Sequence, residues 1–126
     1  MSRPKSKPRN PDRRNHPGVR TKIYVRDDMI GGGKVDLLRM VAEEGSITKA
    51  AARMGVSYRR AWFLLETLQR CFAEPLFVTV RGGTESGTRL TDLGNDLLAR
   101  HKAHEAAVAA ISADFVAWLT AHQPED

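Results

Sequence analysis

The sequence lacks several features that would point to common classes of protein. Its single cysteine, Cys71, rules out an internal disulfide framework and fits a reducing compartment. We expect this thiol to be buried and structural, because its neighbours are apolar. No apolar run approaches the roughly 18–20 residues that a membrane-spanning helix needs, and no hydrophobic signal segment opens the chain. The sequence therefore predicts one cytoplasmic domain, within 126 residues, that has no membrane partner.

Acidic residues are scarce at the start of the chain. Residues 1–20 hold seven basic residues, one acidic residue and four of the six prolines. They contain too little apolar surface to offset the entropy lost on ordering, so we expect a disordered basic arm. Two roles remain open for it: a solubilising tail without a partner, or a segment that lies along phosphates or enters a DNA minor groove.

The net charge of +5 is distributed unevenly. The arm alone carries +6, so the other 106 residues sum to −1. Within them, residues 46–91 carry +4 and residues 92–126 carry −4. A positive segment followed by a negative one indicates nucleic-acid binding more sharply than the total charge does.

Residues 45–62 predict two short helices joined by a glycine turn. Ser46 can cap the first helix, and Gly55 can supply the positive φ that ends it. Ser57 can cap the second helix, which we expect at about Tyr58–Phe72. This arrangement is a helix-turn-helix, which can place the start of its second helix in the major groove of DNA.

The first turn of that second helix is basic, although basic residues there oppose the helix dipole. A role other than helix stability is therefore expected for them. The predicted groove contacts are Ser57, Tyr58, Arg59 and Arg60. The predicted backbone contacts of the preceding helix are Ser46, Thr48 and Lys49. Other interpretations stay open. Capping alone explains both serines, and the arginines could contact phosphates or solvent instead of bases.

Further elements are expected on both sides of this helix pair. Thr21–Val25 alternates like a strand, with Ile23 and Val25 facing inward. Gly31–Gly33 is interpreted as a flexible connector, since it lacks the Lys-Ser/Thr ending of a phosphate loop. A helix near Lys34–Glu44 follows, with apolar residues at helical spacing.

A β-hairpin is predicted after Pro75, which breaks the preceding helix. Residues 76–80 and 88–91 can pair around a loop of turn-forming residues. Three helices followed by such a hairpin are typical of a winged helix-turn-helix, whose wing contacts DNA beside the recognition helix. The predicted wing contacts are Arg81, Gly82 and Arg89, and the glycine lets backbone N–H groups approach phosphates closely.

A long final helix is expected over residues 92–120, capped by Thr91 or Asp92 and followed by a short tail at 121–126. Seam residues recur along it at spacings of four and three, which is typical of a coiled coil. Such a helix could fold back on its own core, but we favour a homodimer, which would present two recognition helices to a palindromic site. The predicted dimer contacts are Leu97, His104, Val108, Ile111, Phe115 and Trp118.

The sequence offers no convincing catalytic arrangement. No nucleophile–base pair, carboxylate pair or phosphate loop can be assembled, so we expect neither an enzyme nor a cofactor. His101 and His104 have a spacing that could share a metal, but no cysteine adds a ligand, and we expect none to bind. Trp62 is expected to lie in the core or at a dimer contact.

A set of short motifs runs through the helix pair and the wing: Ser57-Tyr58, Ala61-Trp62, Leu76-Phe77-Val78, Arg81-Gly82-Gly83 and Leu90-Thr91. In these residues the chain resembles the N-terminal DNA-binding domain of ModE-type, molybdate-responsive transcriptional regulators. The Ser-Tyr-x-x-Ala-Trp segment discriminates best, whereas the wing is equally similar to LysR-type regulators. Thr84-Glu85-Ser86 departs from the family's glycine-rich wing, which makes the tip contacts less defined.

The resemblance implies a regulator that binds double-stranded DNA at a pseudo-palindromic operator. It does not transfer molybdate sensing, because the family's sensing region follows the long helix and this sequence ends at Asp126. Two other classes remain: a molybdate-binding or storage protein, and a module whose basic arm binds RNA or acidic partners without sequence preference.

Overall fold

The computed structural model describes residues 18–80 and 87–125 of the chain. Two hairpins and four helices follow one another: β1 (Lys22–Val25), β2 (Asp28–Gly31), α1 (Gly32–Glu44), α2 (Ile47–Met54), α3 (Tyr58–Gln69), β3 (Phe77–Val80), β4 (Gly87–Leu90) and α4 (Asp92–Ala121). This order confirms the predicted fold class, a mainly helical winged helix-turn-helix that ends in a long helix.

The first hairpin contains a strand that sequence patterning did not predict. Strands β1 and β2 pair antiparallel through a two-residue turn, in which Arg26 adopts a left-handed φ of 53°. The expectation that Ile23 faces inward was wrong, because its side chain is 42% exposed. Its cross-strand partner Ile30 packs against the core instead, since β2 is the strand that contacts α1 and α3.

The three consecutive glycines are structured, so their interpretation as a flexible connector was also wrong. Gly31 is the last residue of β2, and α1 begins at Gly32 rather than at Lys34. The side chain of Lys34 donates a hydrogen bond to the carbonyl oxygen of Met29 at 2.9 Å. This bond ties the first turn of α1 back to β2, which explains why the glycines between Met29 and Lys34 have a defined conformation.

The core lies among α1, α2 and α3. Its buried residues are Leu37, Leu38, Val41, Ile47, Ala50, Ala51, Ala61, Leu65, Leu68 and Leu76. Gly45 and Gly55 end α1 and α2 with φ values of 67° and 79°, and the positive φ of Gly55 was predicted. Both values lie in the left-handed region that glycine adopts without steric cost, so each helix stops where the next must change direction.

Helix α3 ends at Gln69, three residues before the predicted end at Phe72. The side-chain amide of Gln69 spans the following loop: its nitrogen donates to the carbonyl of Glu74 and its oxygen accepts from the N–H of Leu76, both at 2.8 Å. Cys71 lies in this loop and is half-buried, not fully buried as expected. Its thiol contacts the Thr67 carbonyl with a separation of 3.6 Å.

Backbone hydrogen bonds fix the second hairpin to the helices. The N–H of Thr88 in β4 donates to the carbonyl of Gly45, between α1 and α2, at 3.0 Å. The Thr91 hydroxyl accepts from the N–H of Gly94 at 3.2 Å, so Thr91 is the cap of α4. The same hydroxyl donates to the Pro75 carbonyl at 2.7 Å. The wing is therefore anchored at both the helix-turn-helix and the start of α4.

The chain divides into two compact units. Residues 20–105 form one unit, which contains the core, the helix-turn-helix and both hairpins. The other unit includes the distal part of α4, from Ala106 onward. Within the described ranges, no helix is both long enough and apolar enough to cross a membrane.

Candidate nucleic-acid interface

The N-terminal turn of α3 presents the predicted groove residues to solvent. Ser57 caps the helix, with its Oγ accepting a hydrogen bond from the backbone N–H of Arg60 at 3.0 Å. Tyr58 is 54% exposed, and Ser57, Arg59 and Arg60 are exposed as well. The cap holds this turn in helical geometry, so the side chains project from a defined backbone.

Among the described residues 20–80 and 87–105, some arginines pair with carboxylates and others do not. Arg53 is hydrogen-bonded to Glu43, and this bond raises the pKa of its guanidinium. Arg70, just beyond α3, lies 3.2 Å from Asp28. Within the described ranges, Arg59 and Arg60 make no ion pair with a carboxylate. Their charge is therefore available to an external anion or to a guanine edge.

The start of α2 offers a second set of polar groups. Ser46 caps this helix by accepting from the N–H of Lys49 at 3.2 Å. Thr48 and Lys49 are exposed at the helix N-terminus, where unpaired N–H groups and the helix dipole favour an anion.

A groove of about 560 Å³ runs between these two helix starts and the wing. It brings together residues that lie far apart in sequence: Ser46, Thr48 and Lys49 of α2, Tyr58 and Trp62 of α3, and Thr79, Gly87 and Thr88 of the hairpin. The predicted phosphate contacts and the predicted base contacts of Tyr58 thus share one concave surface.

Trp62 joins the recognition helix to the wing. Its ring lies edge-on to Tyr58, with centroids 6.3 Å apart, and tilted against Phe77 of β3, with centroids 6.0 Å apart. Trp62 also packs against the core, as the first of its two expected placements required. Trp62 was not among the predicted site residues, although its position one helical turn after Tyr58 indicates that the two side chains share a face of α3.

The wing contacts are only partly covered by the structure. Arg89 is exposed on β4, opposite Val78 of β3. Arg81 and Gly82 lie outside the described residues.

The predicted dimer residues differ in their surroundings. Leu97 packs half-buried against the core of its own chain. His104 is exposed and lies 3.5 Å from the Thr21 hydroxyl. In the distal part of α4, Val108 is half-buried, whereas Ile111 is 86% exposed and Phe115 and Trp118 are also exposed. The rings of Phe115 and Trp118 stack with centroids 6.3 Å apart. The dimer assignment stays a prediction.

His101 and His104, whose spacing could share a metal, have different partners. His101 lies 2.8 Å from Glu105, while His104 faces Thr21. In residues 18–80 and 87–125, no three His, Cys, Asp or Glu side chains converge as a metal site would require.

Comparison with known proteins agrees with this geometry. Residues 34–95 match the model of the bacterial regulatory helix-turn-helix proteins of the lysR family. The match runs from the start of α1 through the wing to the first turn of α4. These residues form a DNA-binding helix-turn-helix domain of the lysR type.

The helix-turn-helix chain is also similar to three curated bacterial proteins. It is 40% identical over 73 residues to the molybdenum transport protein ModE of Azotobacter vinelandii, covering 57% of this chain and 27% of that protein. It is 38% identical to the molybdenum-pterin-binding protein MopA of Rhodobacter capsulatus over 56% of this chain and 27% of MopA. MopB of the same organism is 34% identical over 68% of this chain and 32% of MopB. The chain thus spans about a third or less of these relatives.

Both resemblances inferred from the sequence are confirmed. The lysR-type model covers α1 to α3, the wing and the first turn of α4, and the curated relatives are molybdenum-related proteins that include ModE.

Proposed function

We propose that this chain is a transcriptional regulator that binds a pseudo-palindromic operator in double-stranded DNA as a homodimer. The observation that carries the proposal is the capped start of α3, where Arg59 and Arg60 are exposed without a carboxylate partner among the described residues. An arginine can bond the O6 and N7 of guanine together, which contributes about 1–3 kcal/mol of discrimination.

The groove beside α3 supports a second kind of contact. The start of α2, with Thr48 and Lys49, would bind phosphates beside the recognition helix. The wing would bind the DNA backbone through Arg89, together with the predicted contacts Arg81 and Gly82. Phosphate contacts fix the register of a reader on the duplex, and base contacts then supply specificity.

The distal part of α4 supports the homodimer. A single copy exposes Ile111, Phe115 and Trp118, which follow one another at coiled-coil spacing. A second copy would bury this stripe, and its two-fold symmetry would match a palindromic operator.

Selection of bound fragments from a random duplex pool tests this function. We expect the chain to enrich one two-fold-related sequence. Arg59→Ala should then reduce the preference for that operator over random duplex by about 1–3 kcal/mol, because it removes a base contact. Arg70→Ala is the matched control, since Arg70 lies at the far end of α3 and pairs with Asp28. It should leave the preference unchanged.

Titrations at several salt concentrations separate the two kinds of contact. Lys49→Ala should weaken binding to all duplexes alike and reduce the salt dependence by about one phosphate contact. Equal affinity for every sequence, unaffected by Arg59→Ala, would instead support a non-specific nucleic-acid-binding module.

The names of the relatives favour a second candidate, a role in binding molybdenum compounds. Equilibrium dialysis of this chain against molybdate, with and without operator DNA, tests it. Retention of molybdate by the chain would support the second candidate. A DNA reader without such a site would retain none.

A further inference from the structure

Phe63 is an exposed aromatic residue in the middle of α3. Its side chain is 50% exposed. Both chain neighbours, Trp62 and Leu64, are partly buried and pack against the core, whereas Phe63 is not part of the described core cluster. The buried stripe of α3 contains Ala61 and Leu65, so Phe63 projects to the opposite side of the helix. Large apolar side chains on a DNA-reading face are unusual enough to need a physical reason.

The ring of Phe63 contacts a predicted base-reading residue. The guanidinium carbon of Arg60 lies 5.2 Å from the Phe63 ring centroid, which is cation–π geometry. Arg59 precedes Phe63 by four residues, and side chains four apart share a helix face. Phe63 therefore belongs to the same exposed face as the two arginines.

The position of Phe63 along α3 matches a base beside the one that Arg60 reads. Three residues of helix rise about 4.5 Å, and successive base pairs are about 3.4 Å apart. The major groove offers an apolar side chain only one apolar group, the 5-methyl of thymine. An aromatic ring that cannot hydrogen-bond would thus recognise thymine by that methyl.

We propose that Phe63 is a specificity-determining residue that packs on the 5-methyl group of a thymine in each operator half-site. The ring also holds the Arg60 guanidinium beside it, so the pair reads two neighbouring base pairs, a thymine and a guanine. The inference rests on the proposed function, because it names a feature of the operator that α3 reads.

Replacement of thymine by deoxyuridine tests this inference, since it removes only the methyl group. Each thymine of the selected operator is replaced in turn, and the affinity of the wild-type chain and of Phe63→Ala is measured for every duplex. For the wild-type chain, we expect one position per half-site at which deoxyuridine weakens binding about fourfold, the value of one buried methyl-sized group. At that position, Phe63→Ala should bind thymine and deoxyuridine equally.

Two further variants complete the experiment. Phe63→Leu keeps an apolar contact and should keep part of the methyl preference. Tyr24→Ala removes an exposed aromatic of β1, far from α3 in sequence, and should retain the full wild-type response. Thermal melting of each variant confirms folding, which Phe63→Ala should preserve because the side chain is half exposed and lies outside the buried core cluster.

The possible failures are distinguishable. Absence of any selected operator contradicts the proposed function itself. A selected operator whose deoxyuridine response is the same in the wild-type chain and in Phe63→Ala, or absent in both, leaves that function standing and overturns the assignment of Phe63.

Discussion

Gly94 and Gly33 each lie in the first turn of a helix, but only Gly33 has room for a side chain. A Cβ added at Gly94 of α4 would stand 2.1 Å from the carbonyl oxygen of Leu76 and 3.0 Å from Cγ of Leu90. A Cβ added at Gly33 of α1 would meet no atom within 4 Å. The contact at Gly94 allows α4 to begin against the loop before β3, so glycine is required there for close approach rather than for an unusual φ.

We predict opposite effects of alanine at these two positions. Gly94→Ala should lower the free energy of unfolding by about 1–3 kcal/mol or more, because backbone atoms must move apart. Gly33→Ala should raise it by about 0.5–1 kcal/mol, because alanine loses less entropy in a helix. Urea denaturation of both variants measures the difference. Equal destabilisation by both would contradict the close approach at Gly94.

The lone thiol gives a prediction about pH. Burial raises the pKa of Cys71 above its ordinary value, and the carboxylate of Asp28 raises it further, against the opposing charges of Lys34 and Arg70. The folded chain thus keeps the proton at a pH where the unfolded chain has begun to lose it. The resulting contribution to stability is complete below the ordinary thiol pKa and is lost as the pH rises through the folded pKa.

Alkylation with iodoacetamide across pH 7–10.5 checks this shift. The rate for the native chain should reach its half-maximum at a higher pH than the rate for the guanidinium-unfolded chain, because the thiolate is the reacting form. Coincident midpoints would show that burial does not shift the thiol.

At the scale of elements, Trp62 couples α3 to the wing. Its ring lies between Tyr58 and Phe77 and lines the groove.

The fluorescence of Trp62 tests whether this groove contacts DNA. The chain has two tryptophans, Trp62 and Trp118, so replacing one lets the other be observed alone. In Trp118→Phe, only Trp62 emits, and operator DNA should change that emission because the duplex replaces water beside the indole. In Trp62→Phe, the remaining signal comes from α4 and should change little. A change of emission seen for Trp118 and not for Trp62 would contradict the placement of the DNA interface at the groove.

The helix-turn-helix could be predicted from its sequence, whereas the first hairpin could be predicted only in part. The caps of Ser46 and Ser57 and the left-handed φ of Gly55 act locally, so the sequence alone predicted the helix-turn-helix and the starts of its two helices. The end of α3 was predicted three residues too late, at Phe72. Strand β1 was predicted, but β2 and its pairing with β1 escaped prediction because the turn residues, Arg26 and Asp27, include no glycine or asparagine.

The candidate site shows the same division. Exposure of Arg59 and Arg60 follows from helical periodicity, which the sequence contains. The pairing of Arg53 and Arg70 with carboxylates depends on residues distant in sequence. The sequence could therefore not separate these arginines from Arg59 and Arg60, which have no carboxylate partner among the described residues. The groove is likewise a tertiary feature, formed when the Thr88 N–H bonds to the Gly45 carbonyl.

At the scale of the whole molecule, the homodimer predicts a specific sensitivity in α4. Ile111→Asp should weaken dimerisation about tenfold or more, because it would place a charge in the apolar seam. The unfolding free energy of one chain should change little, since Ile111 is almost fully exposed there. Ala113→Asp adds the same charge at an exposed position off the seam and is the matched control.

Sedimentation equilibrium measures both variants against the wild-type chain. A wild-type chain that remains monomeric at tens of micromolar, or equal weakening by Ile111→Asp and Ala113→Asp, would contradict the dimer.

Sequence-specific binding of DNA is the central property proposed for this chain. The most direct measurement is the ratio of affinities for the selected operator and for a scrambled duplex of equal length and composition, at physiological salt. Specific regulators reach ratios of about 10³ or more, and we predict a value in that range that falls in Arg59→Ala and not in Arg70→Ala. A ratio near one for the wild-type chain would contradict the account.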